Sequence, residues 1–63
     1  MKRREVIRHL EKNGCEFLAR VLTTIYINRA KRKASSVPRH KEINDFLVVK
    51  ICRDLEIPDP KTA

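Results

Sequence analysis

The segment CEFLARVLTTIYIN, residues 15–28, decides which fold this chain can adopt. Residues 15–20 alternate with the two-residue period of a half-buried strand. Residues 23–28 are rich in β-branched and aromatic side chains, which predicts a second strand. The connection is short, so we expect an antiparallel hairpin, although Val21 and Leu22 are not the Gly, Asn or Asp residues that favour tight turns. The alternation places Cys15, Phe17 and Ala19 on one face of the first strand.

A short amphipathic helix is predicted before the hairpin, from Glu5 to Asn13. Val6, Ile7 and Leu10 fall on one side of this helix, and charged residues fill the other positions. A glycine directly after Asn13 is a common C-terminal stop for a helix.

A third strand and a second helix are predicted after the hairpin. The strand covers residues 34–37 and ends at Pro38. Asn44 is a good N-cap for the helix, and Asp45 lies near the positive end of its dipole. Ile57 and the proline that follows it close the helix. Its apolar face consists of Leu47, Val48, Ile51, Cys52 and Leu55.

This order predicts an α+β fold of the αβββα type. Two helices would cover one face of a three-stranded antiparallel sheet, forming a two-layer sandwich. We expect a single domain over residues 1–57 and a disordered tail over residues 58–63. A chain of 63 residues has no room for a cofactor-binding domain or a deep cavity, so a macromolecular partner is favoured over a buried small molecule.

The charge balance favours a polyanionic partner. Fifteen Lys and Arg residues stand against eight Asp and Glu residues, which gives a net charge of +7 and a sequence pI near 10.0. Nucleic-acid-binding domains have this electrostatic character. The alternative is that the charge serves solubility alone. A membrane surface is disfavoured, because the basic residues do not line one long amphipathic helix.

Neither a metal nor another cofactor is expected. Cys15 and Cys52 match no zinc-ligand spacing, and His9 and His40 do not complete one. Two cysteines are too few for a disulfide framework, and no signal peptide or membrane span is recognisable. We therefore expect a cytoplasmic protein with reduced thiols.

Four segments of the chain, taken in order and spacing, resemble the HicA family of bacterial mRNA interferase toxins. They are residues 2–15, 24–28, 37–43 and 47–57. The resemblance implies a fold like that of double-stranded-RNA-binding domains. It also implies a type II toxin–antitoxin system, in which a toxin that cleaves mRNA is inhibited by a HicB-like antitoxin.

The resemblance breaks at the catalytic motif. The family pattern is Gly-Ser/Asn-His, with the histidine three residues before a tyrosine that corresponds to Tyr26. Thr23 occupies the histidine position, and Val21 and Leu22 replace the residues before it. Metal-free RNA cleavage needs a base to take the proton of the ribose 2′-hydroxyl, and threonine does not titrate near neutral pH. Losing the histidine should cost about 10²–10⁴-fold in rate.

His40 is a candidate surrogate for the missing group. It lies in a cationic loop, where it could contact a phosphate or act as a base; the alternative is an ordinary exposed histidine. His9 is expected on the polar side of the first helix, in solvent. Tyr26 could stack on a base, although an aromatic residue in a central strand is more often part of the core.

Candidate RNA-binding residues fall into clusters that would contact phosphates without reading sequence. The alternative is that they form solvated loops. The candidates are Lys2, Arg3, Arg4, Arg29, Lys31, Arg32, Lys33, Arg39 and Lys41.

The buried face of the second strand is left open by its sequence. Burying Ile25 and Ile27 satisfies the two-residue period, whereas the resemblance places Tyr26 inward and leaves the isoleucines exposed. In the second case a HicB-like antitoxin, or self-association into a homo-oligomer, would cover them, and Phe46 and Val49 also lie off the apolar face of their helix.

Two functions therefore stay open, with a DNA-binding or ribosomal accessory role as a third. The chain is either an mRNA endoribonuclease or a catalytically inactive module that binds RNA or sequesters antitoxin.

Overall fold

The predicted architecture is present in the computed structural model, which describes residues 1–60. The elements are α1 (Arg3–Lys12), β1 (Cys15–Arg20), β2 (Thr24–Asn28), β3 (Lys33–Val37) and α2 (Asp45–Asp54). The three strands are antiparallel and lie in the order β1-β2-β3. Helix α1 packs against β1 and helix α2 against β3, so the α+β two-layer arrangement is confirmed. Of the predicted tail, residues 61–63 lie outside the described residues, and its disorder stays a prediction.

Several boundaries differ from the sequence expectation, among them the start of β2 at Thr24 rather than Thr23. Helix α1 begins at Arg3 rather than Glu5, because the amide groups of Glu5 and Val6 already donate to the carbonyl of Lys2, at 3.0 and 3.1 Å. Strand β3 includes Lys33, which pairs with Asn28. Lys33 therefore belongs to the sheet and not to the preceding turn.

Helix α2 has well-defined ends. The Asn44 side chain accepts a 2.8 Å hydrogen bond from the amide of Phe46, which confirms the predicted N-cap. At the other end Glu56 has a left-handed φ of 55°. The amide of Ile57 donates to the carbonyl of Cys52 at 2.9 Å, and that of Glu56 to Arg53 at 3.0 Å. This is the Schellman pattern, in which the left-handed position is normally a glycine.

The core lies between the helices and the sheet. Among its members Leu10, Val37, Ile51 and Leu55 are at most 1% exposed. Burying side chains of this size stabilises the fold by about 1.5–3 kcal/mol each. The whole buried cluster comprises Val6, Leu10, Cys15, Tyr26, Val37, Ile43, Val48, Ile51, Cys52 and Leu55.

Strand β2 buries the face that carries Tyr26. Thr24, Tyr26 and Asn28 are buried toward the helices, whereas Ile25 and Ile27 are half-buried on the opposite, open face of the sheet. Asn28 is tolerated inside because its side-chain nitrogen donates to the carbonyl of Leu55 at 2.7 Å. The period-2 interpretation that buries the isoleucines is therefore wrong, and the arrangement implied by the family resemblance is the one present.

A β-bulge interrupts strand β1. Phe17 pairs with Tyr26, but the next pair along the strand is Ala19 with Ile25, so Leu18 is an extra residue. Beyond the bulge Arg20 pairs with Thr24 and faces the helices, while Ala19 lies on the open face with Ile25. The simple alternation predicted the reverse for both residues, because it assumes a regular register.

Candidate nucleic-acid interface

Three chain segments meet at one end of the sheet, which we call the loop end. They are the start of α1, the connection 21–23 and the loop 38–43. The amide of Arg3 donates to the carbonyl of Lys41 at 2.8 Å, and the amide of Ile43 donates to the carbonyl of Met1 at 2.8 Å. These backbone bonds hold the loop that follows β3 beside the first residues of the chain.

A surface cleft of about 370 Å³ opens at the loop end. It is bordered by α1, by the helix-facing side of β1 and β2, and by the loop after β3. Among the described residues that line it, three are arginines and two are aromatic. The lining residues are Arg3, Ile7, Phe17, Arg20, Thr24, Tyr26 and Arg39.

The Arg3 side chain is held in place by two hydrogen bonds. Its Nε donates to the carbonyl of Pro38 at 2.9 Å, and its NH2 group donates to Oγ1 of Thr24 at 3.0 Å. The guanidinium thus ties the start of β2 to the end of β3. Arg3 was predicted as an RNA contact. In the structure its side chain holds neighbouring segments together, and part of it also lines the cleft.

Phe17 and Arg20 are cleft residues that the sequence reasoning missed. The Phe17 ring makes a T-shaped contact with Tyr26, with ring centroids 6.2 Å apart, and remains 55% exposed. In a regular strand positions 17 and 20 would point to opposite faces. Phe17 faces the helices as the regular alternation from Cys15 predicts, whereas the bulge at Leu18 turns Arg20 to the same side, so only the register could have revealed that the two lie together.

A second, wider groove of about 530 Å³ adjoins the cleft. Four of its lining residues are basic, namely Lys2, Arg3, Arg4 and Lys41, with Glu42 as the fifth. Arg3 lines both the cleft and the basic groove, so the two form a continuous cationic surface. The structure thus brings together five of the predicted RNA-binding residues, Arg39 included.

The other predicted basic cluster lies at the opposite end of the sheet, which we call the turn end. The two ends are about 15 Å apart, because the five residues of β2 between them each rise roughly 3.3 Å along the strand. At the turn end Arg29 forms an ion pair with Glu16, and Nζ of Lys33 lies 3.8 Å from Oε2 of Glu56. Lys31 and Arg32 are exposed there, far from the cleft.

The residues considered for catalysis are neighbours in sequence of two residues that line the cleft, Thr24 and Arg39. Thr23 is half-buried immediately before Thr24, and His40 is exposed immediately after Arg39. Neither is among the residues that line the cleft. His9 is not simply solvated, because its Nε2 lies 2.6 Å from the carbonyl oxygen of Pro58.

Tyr26 is part of the core, at 6% exposed. Burial, and secondarily the charge of Glu11, raises the pKa of its phenol, while Arg3 opposes the effect. The phenol therefore stays protonated at neutral pH. Within residues 1–60 no group of three or more His, Cys, Asp and Glu side chains could hold a metal ion. In the same part of the chain, no helix has the length and apolar character to cross a membrane.

Comparison with known proteins identifies the family. A family model described as the HicA toxin of bacterial toxin–antitoxin systems matches residues 3–57. The chain belongs to the HicA toxin family. Within the described residues the match covers every helix and strand and all the residues that line the cleft; of the basic groove, Lys2 lies outside it. No curated protein matches, and no solved structure matches, so the likeness of this HicA domain to double-stranded-RNA-binding domains stays a prediction.

Proposed function

We propose that this HicA-family protein binds mRNA at the loop end and has lost most of its capacity to cleave it. One observation carries the proposal: an arginine-lined cleft adjoins position 23, and none of its seven lining residues within positions 1–60 is a histidine or a carboxylate. The cleft can therefore attract a phosphate backbone, but it offers no group that titrates near neutrality to act as a base.

Thr23 is a poor replacement for a catalytic histidine. Its hydroxyl can donate or accept a hydrogen bond but cannot take a proton from the ribose at neutral pH. His40 is exposed beyond Arg39, which suits a phosphate contact at the rim better than a positioned base. By the family resemblance the protein acts in the bacterial cytoplasm, as one partner of a type II toxin–antitoxin pair.

Salt dependence of RNA binding tests the electrostatic part of the proposal. Each phosphate contact to a single strand contributes about 0.7 to the slope of log affinity against log salt. Arg20→Gln and Arg39→Gln should each weaken binding and lower the slope by about that amount. Lys31→Gln removes an equal charge at the turn end and serves as the matched control.

A fluorescence anisotropy titration at several salt concentrations would measure these slopes. Equal effects of the cleft and turn-end variants would refute the cleft as the binding site, and would indicate attraction by net charge alone. Lack of RNA binding by the unaltered chain at low salt would refute the proposed function itself.

The exposed apolar surface supports an antitoxin partner. Ile25 and Ile27 lie on the open face of the sheet, and Val21 and Leu22 are 78% and 87% exposed in the neighbouring connection. Phe46, also exposed, lies apart from them on α2. A HicB-like antitoxin would cover the open face and the connection, burying apolar surface next to position 23.

Self-association is the competing way to cover this face. Three strands of five or six residues span roughly 250 Å², well below the ~800 Å² per partner of a stable interface, so any partner of this face must also contact other surface, such as the connection. We expect the chain alone to sediment as a monomer. Ile25→Lys should prevent complex formation with a HicB-like protein while Phe46→Lys leaves it intact; the opposite result would place the antitoxin on α2.

A further inference from the structure

The cleft has features that a general polyanion site does not need. An electrostatic patch requires only exposed cations, yet here an aromatic ring, Phe17, lies 55% exposed beside them. Nucleic-acid sites that bind unpaired strands combine cations with an exposed ring on which a base can stack.

The bulge in β1 sets the backbone spacing between Phe17 and Arg20. Phe17 and Arg20 pair with Tyr26 and Thr24 respectively, which are two residues apart on β2. Their backbone positions are therefore about 7 Å apart on the same face. That spacing is comparable to the separation of a base from its own phosphate.

The remaining cations of the cleft divide into two roles. The Arg3 guanidinium already donates hydrogen bonds to Pro38 and Thr24, so we assign it to holding the cleft together and not to binding phosphate. Arg20 and Arg39 are exposed and approach from β1 and from the loop after β3. A phosphate held between two guanidinium groups from different segments is fixed in position more tightly than one held by a single charge.

We infer that the cleft is a one-nucleotide subsite for single-stranded RNA, in which an unpaired base stacks on Phe17 and its phosphate lies between Arg20 and Arg39. This rests on the proposed function and narrows it. Bases inside a duplex are already stacked on one another and cannot reach the ring. The subsite therefore selects unpaired RNA, in contrast to the duplex that a double-stranded-RNA-binding-like fold would suggest.

The test compares a labelled single-stranded oligoribonucleotide with the same strand annealed to its complement. Stacking on an aromatic side chain is typically lost on alanine substitution at a cost of about 5- to 150-fold in affinity. Phe17→Ala should weaken single-strand binding by about 10-fold or more, with the salt slope unchanged, because no charge is removed. Phe17→Trp retains a ring and should retain binding, whereas Phe17→Leu should not.

Phe46→Ala is the matched control, because Phe46 is also an exposed phenylalanine, at 87%, and lies on α2 outside the cleft lining. Thermal unfolding of each variant verifies that the fold persists. Equal binding by Phe17→Ala and Phe46→Ala, or duplex affinity as high as that of the single strand, would overturn the inference. If RNA binding persists but does not depend on the Phe17 ring, only this subsite is refuted, whereas the absence of any RNA binding refutes the proposed function as well.

Discussion

Replacing Asn28 with aspartate tests how β2 and α2 are joined. Asn28 is 5% exposed, and its side-chain nitrogen donates a buried 2.7 Å hydrogen bond to the carbonyl of Leu55. Asn28→Asp keeps the shape of the side chain but replaces this donor with an acceptor. The Leu55 carbonyl then loses its donor and faces a negative charge at the C-terminal end of a helix.

The cost of Asn28→Asp can be worked from this contact. A buried polar group left without its partner costs about 1–3 kcal/mol. A negative charge at a helix C-terminus adds about 0.3–1 kcal/mol. We therefore expect a loss of about 1.3–4 kcal/mol at pH 7. A chain of 63 residues has a total stability of roughly 3–9 kcal/mol, so the loss removes a large part of it.

The effect of this substitution should depend on pH. Burial without a compensating donor raises the folded-state pKa of the introduced carboxyl above its unfolded value of about 3.9. The destabilisation is therefore absent below the unfolded pKa and grows as pH rises through the folded pKa. When protonated, the carboxyl can donate to the Leu55 carbonyl as the amide did.

Urea denaturation followed by circular dichroism at pH 4 and pH 7 measures both effects. Asn28→Ala is the control, because it removes the donor without adding a charge and should show no added pH dependence. An Asn28→Asp variant as stable as the unaltered chain at pH 7, or equally destabilised at both pH values, would refute the reasoning.

Two further stability predictions follow from the ends and the core of α2. Glu56→Gly should stabilise the protein by about 0.5–1 kcal/mol in urea denaturation, because Glu56 has a left-handed φ of 55° that glycine adopts without strain; an equal gain in Glu56→Ala would contradict this. Burial raises the pKa of the Cys52 thiol from 9.0 to about 11. The protonated thiol therefore contributes stability that is present below pH 9 and is lost as the pH rises toward 11. The free energy of unfolding should fall by up to about 3 kcal/mol over this range. Cys52→Ala should lose stability less steeply over that range, and an unchanged pH dependence would contradict the assignment.

The order of elements was predictable from local patterns. The alternation of residues 15–20, the β-branched run that follows it and the amphipathic face of α2 each report a period that backbone geometry imposes. The Asn44 cap was also predictable, because its hydrogen bond reaches only to Phe46. Such features depend on near neighbours in the chain and therefore appear in the sequence.

The cleft was only partly predictable. Arg39 stood out through its basic neighbours, but Arg20 joins Phe17 at the cleft only because Leu18 bulges. A bulge is a property of pairing between two strands, and neither strand shows it alone. Arg3 likewise looked like one of several N-terminal cations, whereas its bonds to Thr24 and Pro38 join positions distant in sequence.

The central claim is that RNA binding persists here without RNA cleavage, and an RNA degradation assay tests it most directly. Labelled RNA would be incubated with the unaltered chain, with Thr23→His, and with a variant that also carries Val21→Gly and Leu22→Ser. The unaltered chain should bind RNA and leave it intact. The histidine-bearing variants should cleave faster by about 10²–10⁴-fold. Cleavage by the unaltered chain as fast as by Thr23→His, and persisting after His40→Ala, would contradict the claim.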